Sequence, residues 1–187
     1  MSGPAAVRGG RVSISRGSNP VVYVQRLYTQ FLQGLFNFNE PGRLHWEPDK
    51  EVSDLVIQAE APLDMQVVGK RPAITVVMGP TQYQGLSIDQ LQWANLKTGR
   101  QVKSDLMSGH LVVYCLAETD VVAQWMAHLV QHGTRVNQRL LEGPGGFHTI
   151  ARPAPSSNPP SPPGSLVAGD PKGLVMVQVN IPFVFQW

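Results

Sequence analysis

The chain has 187 residues, of which 42% are hydrophobic and 15% are charged, and its 15 basic and 13 acidic side chains give a formal net charge of +2. This length predicts one domain with a core of its own, and the composition excludes an intrinsically disordered polyelectrolyte and a membrane protein. The small net charge is unlike the clustered positive charge of a dedicated nucleic-acid reader. A neutral surface on a small protein often becomes covered by another subunit.

The cysteine content and the N-terminal composition set further limits. Cys115 is the single cysteine, which excludes an intrachain disulfide framework and a cysteine-rich zinc site and is compatible with a reducing cytosol. Glycine and arginine dominate the start of the chain, so we expect residues 1–18 to be a flexible arm and residues 19–187 to be a single domain. Because no apolar run approaches ~18 residues, the sequence predicts neither a signal peptide nor a membrane span.

Two amphipathic helices are predicted. The first begins after Asn19, a good N-cap residue followed by Pro20, and apolar residues then recur at spacings of three and four as far as Phe36. The second begins at Thr119 or Asp120 and ends at the Gly143-Pro144-Gly145-Gly146 segment. We expect its apolar residues to share one stripe: Val121, Val122, Trp125, Met126, Leu129, Val130, Val136, Leu140 and Leu141.

Several segments have the composition of β-strands. The C-terminal segment alternates apolar and polar residues from Val175 to Trp187, which fixes its register, and Pro182 indicates that this strand lies at an edge of the sheet or bulges. The Gly79-Pro80 pair is expected to end the strand before it. The other predicted strands cover residues 54–59, 72–78, 111–117 and 147–151.

The region between Leu86 and Met107 predicts a long, partly exposed β-hairpin. Apolar residues stand at spacings of two, at Leu86 and Ile88 and again at Leu91 and Trp93, and a turn signal follows at residues 97–100. The prolines of residues 153–165 predict an extended loop that forms no sheet ladder. The predicted fold is therefore α+β: a mostly antiparallel β-sheet packed with two main α-helices, with a projecting β-hairpin.

The sequence carries no convincing catalytic, cofactor or metal site. His128 and His132 have metal-ligand spacing, but Leu129 stands where a metalloprotease motif has its glutamate, so a hydrolase that uses these histidines is the weakest alternative. Cys115 lies within an apolar strand, where burial makes a thiol inert. Lys97, Arg100 and Lys103 form a basic cluster without interleaved aromatic residues, which is typical of a solvated hairpin tip.

The order of the elements and three segments resemble neck proteins of tailed bacteriophages, most closely the tail-terminator type. The segments are RPAITVV at residues 71–77, GHLVVYC at residues 109–115 before a long amphipathic helix, and SPPGSLV at residues 161–167 before the terminal strand. This resemblance implies a ring, usually sixfold, that caps the tail tube and joins it to the head-side connector. It also implies DNA passing through the lumen without sequence-specific contact, assembly into the virion after synthesis in the host bacterial cytoplasm, and no catalytic residues.

We therefore expect the hairpin to dock on a neighbouring subunit through Leu86, Ile88, Leu91, Trp93 and Leu96, with Trp93 as the strongest contact. In the alternative arrangement the hairpin folds back on its own core. Two other functions remain open, a collar or head-closure adaptor of the same neck and a small cytosolic binding module.

Overall fold

The computed structural model describes residues 19–39, 44–49, 51–59, 63–64, 71–85, 91–95, 100–103, 105–143, 146–155, 167–168 and 173–186. The predicted arm at residues 1–18 and residues 156–165 of the Pro-rich segment lie outside these described residues. The elements in chain order are α1 (Pro20–Asn37), β1 (Val56–Gln58), β2 (Leu63–Asp64), β3 (Ala73–Gly85), β4 (Leu91–Asn95), β5 (Arg100–Lys103), β6 (Asp105–Ala117), α2 (Asp120–Val136), α3 (Gln138–Glu142), β7 (Phe147–Ile150), β8 (Ala154–Pro155), β9 (Val167–Ala168) and β10 (Val175–Gln186).

The fold is α+β, with one mixed sheet at its centre. The strand order is β1-β3-β6-β10-β7, and the short strand β8 also pairs with β10. The pairs made by β3, β6, β10, β7 and β8 are antiparallel, whereas β1 runs parallel to β3. Three long neighbouring strands, β3, β6 and β10, therefore form the body of the sheet.

The first helix begins as predicted. The side chain of Asn19 accepts a hydrogen bond from the backbone N–H of Val21 at 3.0 Å, and Pro20 occupies the first turn, where its missing N–H costs no hydrogen bond. The second predicted helix is interrupted at Asn137, whose side-chain Nδ2 donates to the carbonyl of Gly133 at 2.9 Å. Such local side-chain bonds to the backbone compete with helix continuation, so α2 ends at Val136 and the short helix α3 follows.

The prediction that Gly79-Pro80 ends a strand is wrong. The β3–β6 register shifts between Met78, opposite Leu111, and Thr81, opposite Gly109, and the strand continues to Gly85. The two residues form a bulge, where an extra residue stands outside the ladder and a proline needs no ladder donor. The ring of His110 lies over this bulge, since a Cβ built on Gly79 would clash with its Nε2.

The C-terminal strand lies inside the sheet rather than at its edge. β10 pairs along one side with β6 and along the other with β7 and then β8. The carbonyl of Pro182 accepts a hydrogen bond from the N–H of Ala151 at 2.8 Å. Because the N and O of one residue in an antiparallel strand face the same neighbour, the nitrogen of Pro182 faces the gap between β7 and β8 and leaves the β6 ladder intact.

The expectation that the Pro-rich segment makes no ladder is also wrong at its first residues. Ala154 stands opposite Asn180 and Pro155 opposite Val179 in the β8–β10 pair. Within the part of the chain that the structure describes, no further strand flanks β8. A proline is tolerated at such a position because its nitrogen can face outward from the sheet.

Both long helices contribute to a single core on one face of the sheet. α1 buries Val24, Tyr28, Leu32 and Phe36, and the buried side of α2 is made of Ala123, Met126, Ala127, Val130, Gly133 and Thr134. The two helices approach closely at Gly133, where a built Cβ would clash with Cδ2 of Leu35. The alternating apolar residues Val179, Ile181, Phe183 and Phe185 of β10 complete the core, as the sequence predicted.

Candidate interaction surfaces

The β4–β5 hairpin is an insertion at one end of the β3–β6 pair. Gly85 and Asp105 stand opposite each other, so the segment between them leaves and re-enters the sheet at adjacent points. Within the insertion, β4 and β5 pair in the antiparallel sense, with Asn95 opposite Arg100. Among the described elements, these two strands contact each other extensively and contact no other element to a comparable extent.

The structure describes the backbone of two of the five predicted interface residues, and the contact itself stays a prediction. Leu91 lies opposite Lys103 and Trp93 opposite Val102, and the register shifts between the two β4 residues. Their backbone therefore lies on a hairpin strand, as predicted. Leu86, Ile88 and Leu96 fall outside the described residues.

The outer edge of β3 is only partly covered by another strand. β1 pairs with residues Ala73 to Thr75, and the side-chain Nε2 of Gln25 then donates to the carbonyls of Val76, at 2.6 Å, and Ala59. From Val77 to Gly85 no strand of the described chain pairs with this edge. A strand edge with no neighbour presents backbone donors and acceptors to a further strand.

The outward face of α2 and α3 is apolar and aromatic. We define the outer stripe as Val121, Trp125, His128, His132, Val136 and Leu140. Spacings of three and four keep the first five of these residues on one face of α2, and Leu140 follows on α3, beyond the break at Asn137. Val121 is 77% exposed, Trp125 55%, Val136 65% and Leu140 54%. The ring of His128 stacks against the rings of Trp125 and His132, with distances between ring centroids of 5.7 Å and 6.2 Å. A row of this kind is a candidate contact surface.

The outer stripe corrects the prediction of one apolar stripe on the second helix. Val121, Trp125, Val136 and Leu140 face outward, whereas Met126 and Val130 face the core. The helix is therefore apolar on two sides. The sequence carried a signal for the buried side of α2 in its small residues Ala123, Ala127 and Gly133. Small side chains let a helix approach its neighbour closely.

The two histidines of the outer stripe have no further ligand beside them in the described part of the chain. No group of three or more His, Cys, Asp or Glu side chains capable of holding a metal occurs among the described residues.

The buried titratable groups are structural. Cys115 is fully buried, and its burial raises the pKa of the thiol to about 12, as expected for an inert cysteine. Burial also raises the pKa of Tyr28, whose hydroxyl lies 2.6 Å from Thr134 Oγ1. Neither group faces solvent or a cavity of the described chain, so neither is a candidate for chemistry.

The opposite face of the sheet carries a shallow, open depression of about 560 Å³. It lies beside the β3 bulge and is lined by Pro80, Gln82, Ser108, Gly109, His110, Asn180 and Pro182. The lining combines two prolines with neutral polar side chains and one imidazole. Ligand sites are usually more enclosed than this depression.

No helix among the described residues is both long enough and apolar enough to cross a membrane. No protein-family model matches the chain, and no curated protein matches it significantly.

Proposed function

We propose that this protein is a structural subunit of a tailed-bacteriophage neck, where it forms a homo-oligomeric ring that terminates the tail. The observation that carries the proposal is the hairpin insertion between Gly85 and Asp105, whose strands have no extensive contact with another described element. A hairpin that projects from the end of a sheet exposes backbone groups and side chains that a neighbouring subunit can cover.

The ring requires a heterologous contact, in which one surface of a subunit meets a different surface of the next. The projecting hairpin is the first surface, with Leu86, Ile88, Leu91, Trp93 and Leu96 as its apolar contacts. The outer edge of β3 beyond Val77 is the second surface, because its backbone groups can accept a further strand. Repetition of this contact about an axis closes a ring of six copies, as the resemblance implies.

In this proposal the ring caps the tail tube protein and contacts the head-side connector or adaptor in the virion. Genomic DNA passes through the lumen without sequence-specific contact, which accords with a formal net charge of only +2. The protein has no catalytic role and needs no cofactor. A collar or head-closure adaptor of the same neck would use the same surfaces against different neighbours.

A small binding module is the second candidate, and the depression beside the β3 bulge is the observation that favours it. Four polar side chains in its lining, Gln82, Ser108, His110 and Asn180, offer hydrogen bonds to a peptide or small ligand. A module of this kind would act at no fixed stoichiometry.

The decisive experiment compares the mass of the full-length chain, alone and mixed with purified tail tubes, by mass photometry. We expect a discrete ring, alone or on tubes, that Trp93→Ala abolishes while the thermal unfolding of the subunit stays unchanged. Phe38→Ala is the matched control, because Phe38 is an aromatic residue, 91% exposed, outside the proposed contact. A chain that stays monomeric in both settings, or a Trp93→Ala variant that assembles normally, refutes the proposal.

A further inference from the structure

We infer that the outer stripe is a twofold contact that joins two copies of this chain with their α2 helices antiparallel. The inference goes beyond the proposed ring, since it concerns a different surface and an isologous contact. In such a contact the same patch meets itself, so the patch must be complementary to its own reversed copy. The outer stripe meets this requirement in the order of its side chains and in charge.

The side chains of the outer stripe match when their order is reversed. An antiparallel copy places Val121 opposite Leu140, Trp125 opposite Val136, and the histidine pair at the centre opposite the histidine pair of the second copy. The exposed apolar residues are thus covered by apolar residues, and the stacked rings of His128 and His132 meet equivalent rings. A single twofold axis near residue 130 relates all of these contacts.

The charges at the two ends of the outer stripe fix the direction. Glu118 and Asp120 are exposed at the N-terminal end of α2. Arg135 is exposed in the last turn of α2, and Arg139 is exposed on α3. In an antiparallel pair, carboxylates meet guanidinium groups at both ends of the contact. A parallel pair would place like charges together, and it would also align the helix dipoles unfavourably.

The same charges favour a second copy over other partners. A nucleic acid would be repelled by the carboxylates at one end, and the interrupted row of apolar side chains lacks the continuous apolar face of a membrane-binding helix. The part of the outer stripe on α2, from Val121 to Val136, is about 22 Å long at the rise of an α-helix. A contact confined to one helix face belongs to the small interfaces, so we expect a weak, reversible dimer.

The contact leaves the hairpin and the β3 edge free. With both contacts active, the twofold contact joins one ring to another, so particles heavier than a single ring form. With the ring contact removed by Trp93→Ala, the twofold dimer alone remains. The two proposals therefore fail separately, because a missing ring does not remove the dimer and a missing dimer leaves a single ring.

Sedimentation velocity over a concentration series tests the contact with the full-length chain in the Trp93→Ala background. Glu118→Lys/Asp120→Lys makes both ends of the outer stripe basic, and Arg135→Glu/Arg139→Glu makes both ends acidic. We expect each variant to be monomeric at concentrations at which the parent is dimeric, and their equimolar mixture to form a heterodimer. A parent that is monomeric throughout, or variants that dimerise like the parent, refute the inference.

Disulfide trapping tests the direction of the helices. Oxidation of the Val121→Cys/Leu140→Cys variant should give a covalent dimer, because each new thiol meets its counterpart on the second copy. Val121→Cys alone is the matched control and should stay uncrosslinked, because an antiparallel pair holds the two new thiols of this variant at opposite ends of the contact. The native Cys115 is buried and does not interfere. Equal crosslinking of the single variant would show a parallel or unspecific contact and overturn the inference.

Discussion

The hydroxyl groups of Tyr28 and Thr134 lie 2.6 Å apart in the core and connect α1 to α2. Thr134 Oγ1 also donates to the carbonyl of Val130 at 2.7 Å, so its proton is used there and the phenol of Tyr28 is the donor of the interhelical bond. Both side chains are almost fully buried, at 0% and 1% exposure. The bond therefore fixes how the two helices meet on the sheet.

Loss of the Thr134 hydroxyl should destabilise the fold more than loss of the Tyr28 hydroxyl. Thr134→Val leaves the buried phenol without an acceptor and should cost about 1–3 kcal/mol, whereas Tyr28→Phe leaves no orphaned donor and should cost about 1 kcal/mol. Urea unfolding of the single and double variants gives the coupling energy. Tyr23→Phe, which keeps its ring against Phe185, is the matched control. Equal costs for the two single variants would contradict this assignment of the donor.

His45 should make stability depend on pH in the neutral range. Nδ1 lies 2.7 Å from the carbonyl of Asn39 and Nε2 lies 3.1 Å from Glu47 Oε1, so both ring nitrogens face acceptors. The hydrogen bond to Glu47 is the main cause that raises the pKa of His45, and the doubly protonated ring is the form that satisfies both contacts.

The direction of this dependence follows from linkage. A pKa raised in the folded state gives a stabilisation that is complete below the unfolded pKa of about 6.5 and is lost as the pH rises through the folded pKa. Denaturant unfolding should therefore show that the free energy of unfolding falls between pH 5.5 and pH 8.5 by the contribution of His45. His45→Gln should remove it, and Glu47→Gln should reduce it. A decline that persists unchanged in His45→Gln would assign it to another group.

Truncation of two neighbouring residues of α2 should change the free energy of unfolding by very different amounts. Met126 is fully buried, so Met126→Ala should cost about 2–5 kcal/mol through lost burial and a cavity. Trp125 is 55% exposed, and Trp125→Ala should leave the free energy of unfolding of the isolated subunit within about 0.5 kcal/mol. Thermal and urea unfolding at low protein concentration measure both. A large loss with Trp125→Ala would place this ring in the core.

The β3 bulge should tolerate a methyl group at Gly79 only when His110 is smaller. Gly79→Ala brings a Cβ into the space of the imidazole, so the ring must move, and we expect a loss of about 1 kcal/mol. The Gly79→Ala/His110→Ala double variant should be more stable than the sum of its single variants predicts. If the effects of the two single substitutions on the free energy of unfolding in urea are additive, the imidazole of His110 moves aside without cost and the expectation is wrong.

Sequence patterns determined the features that depend on neighbours along the chain. Asn19 and Pro20 start α1 because a cap and a first-turn proline act within a few residues. The alternation from Val175 to Phe185 defines which side of β10 meets the core, and an apolar strand around Cys115 predicts its burial.

Tertiary structure alone decided which neighbours cover each face and edge. Pro182 lies inside the sheet because β7 ends and β8 begins beside it, and Gly79-Pro80 bulges because β6 continues past it. The apolar residues of α2 divide between the core and the outer stripe because α1 and the sheet occupy only one of its sides. Periodicity shows that a face is apolar, but the packing of segments distant in sequence decides whether it is buried in this chain or left for another.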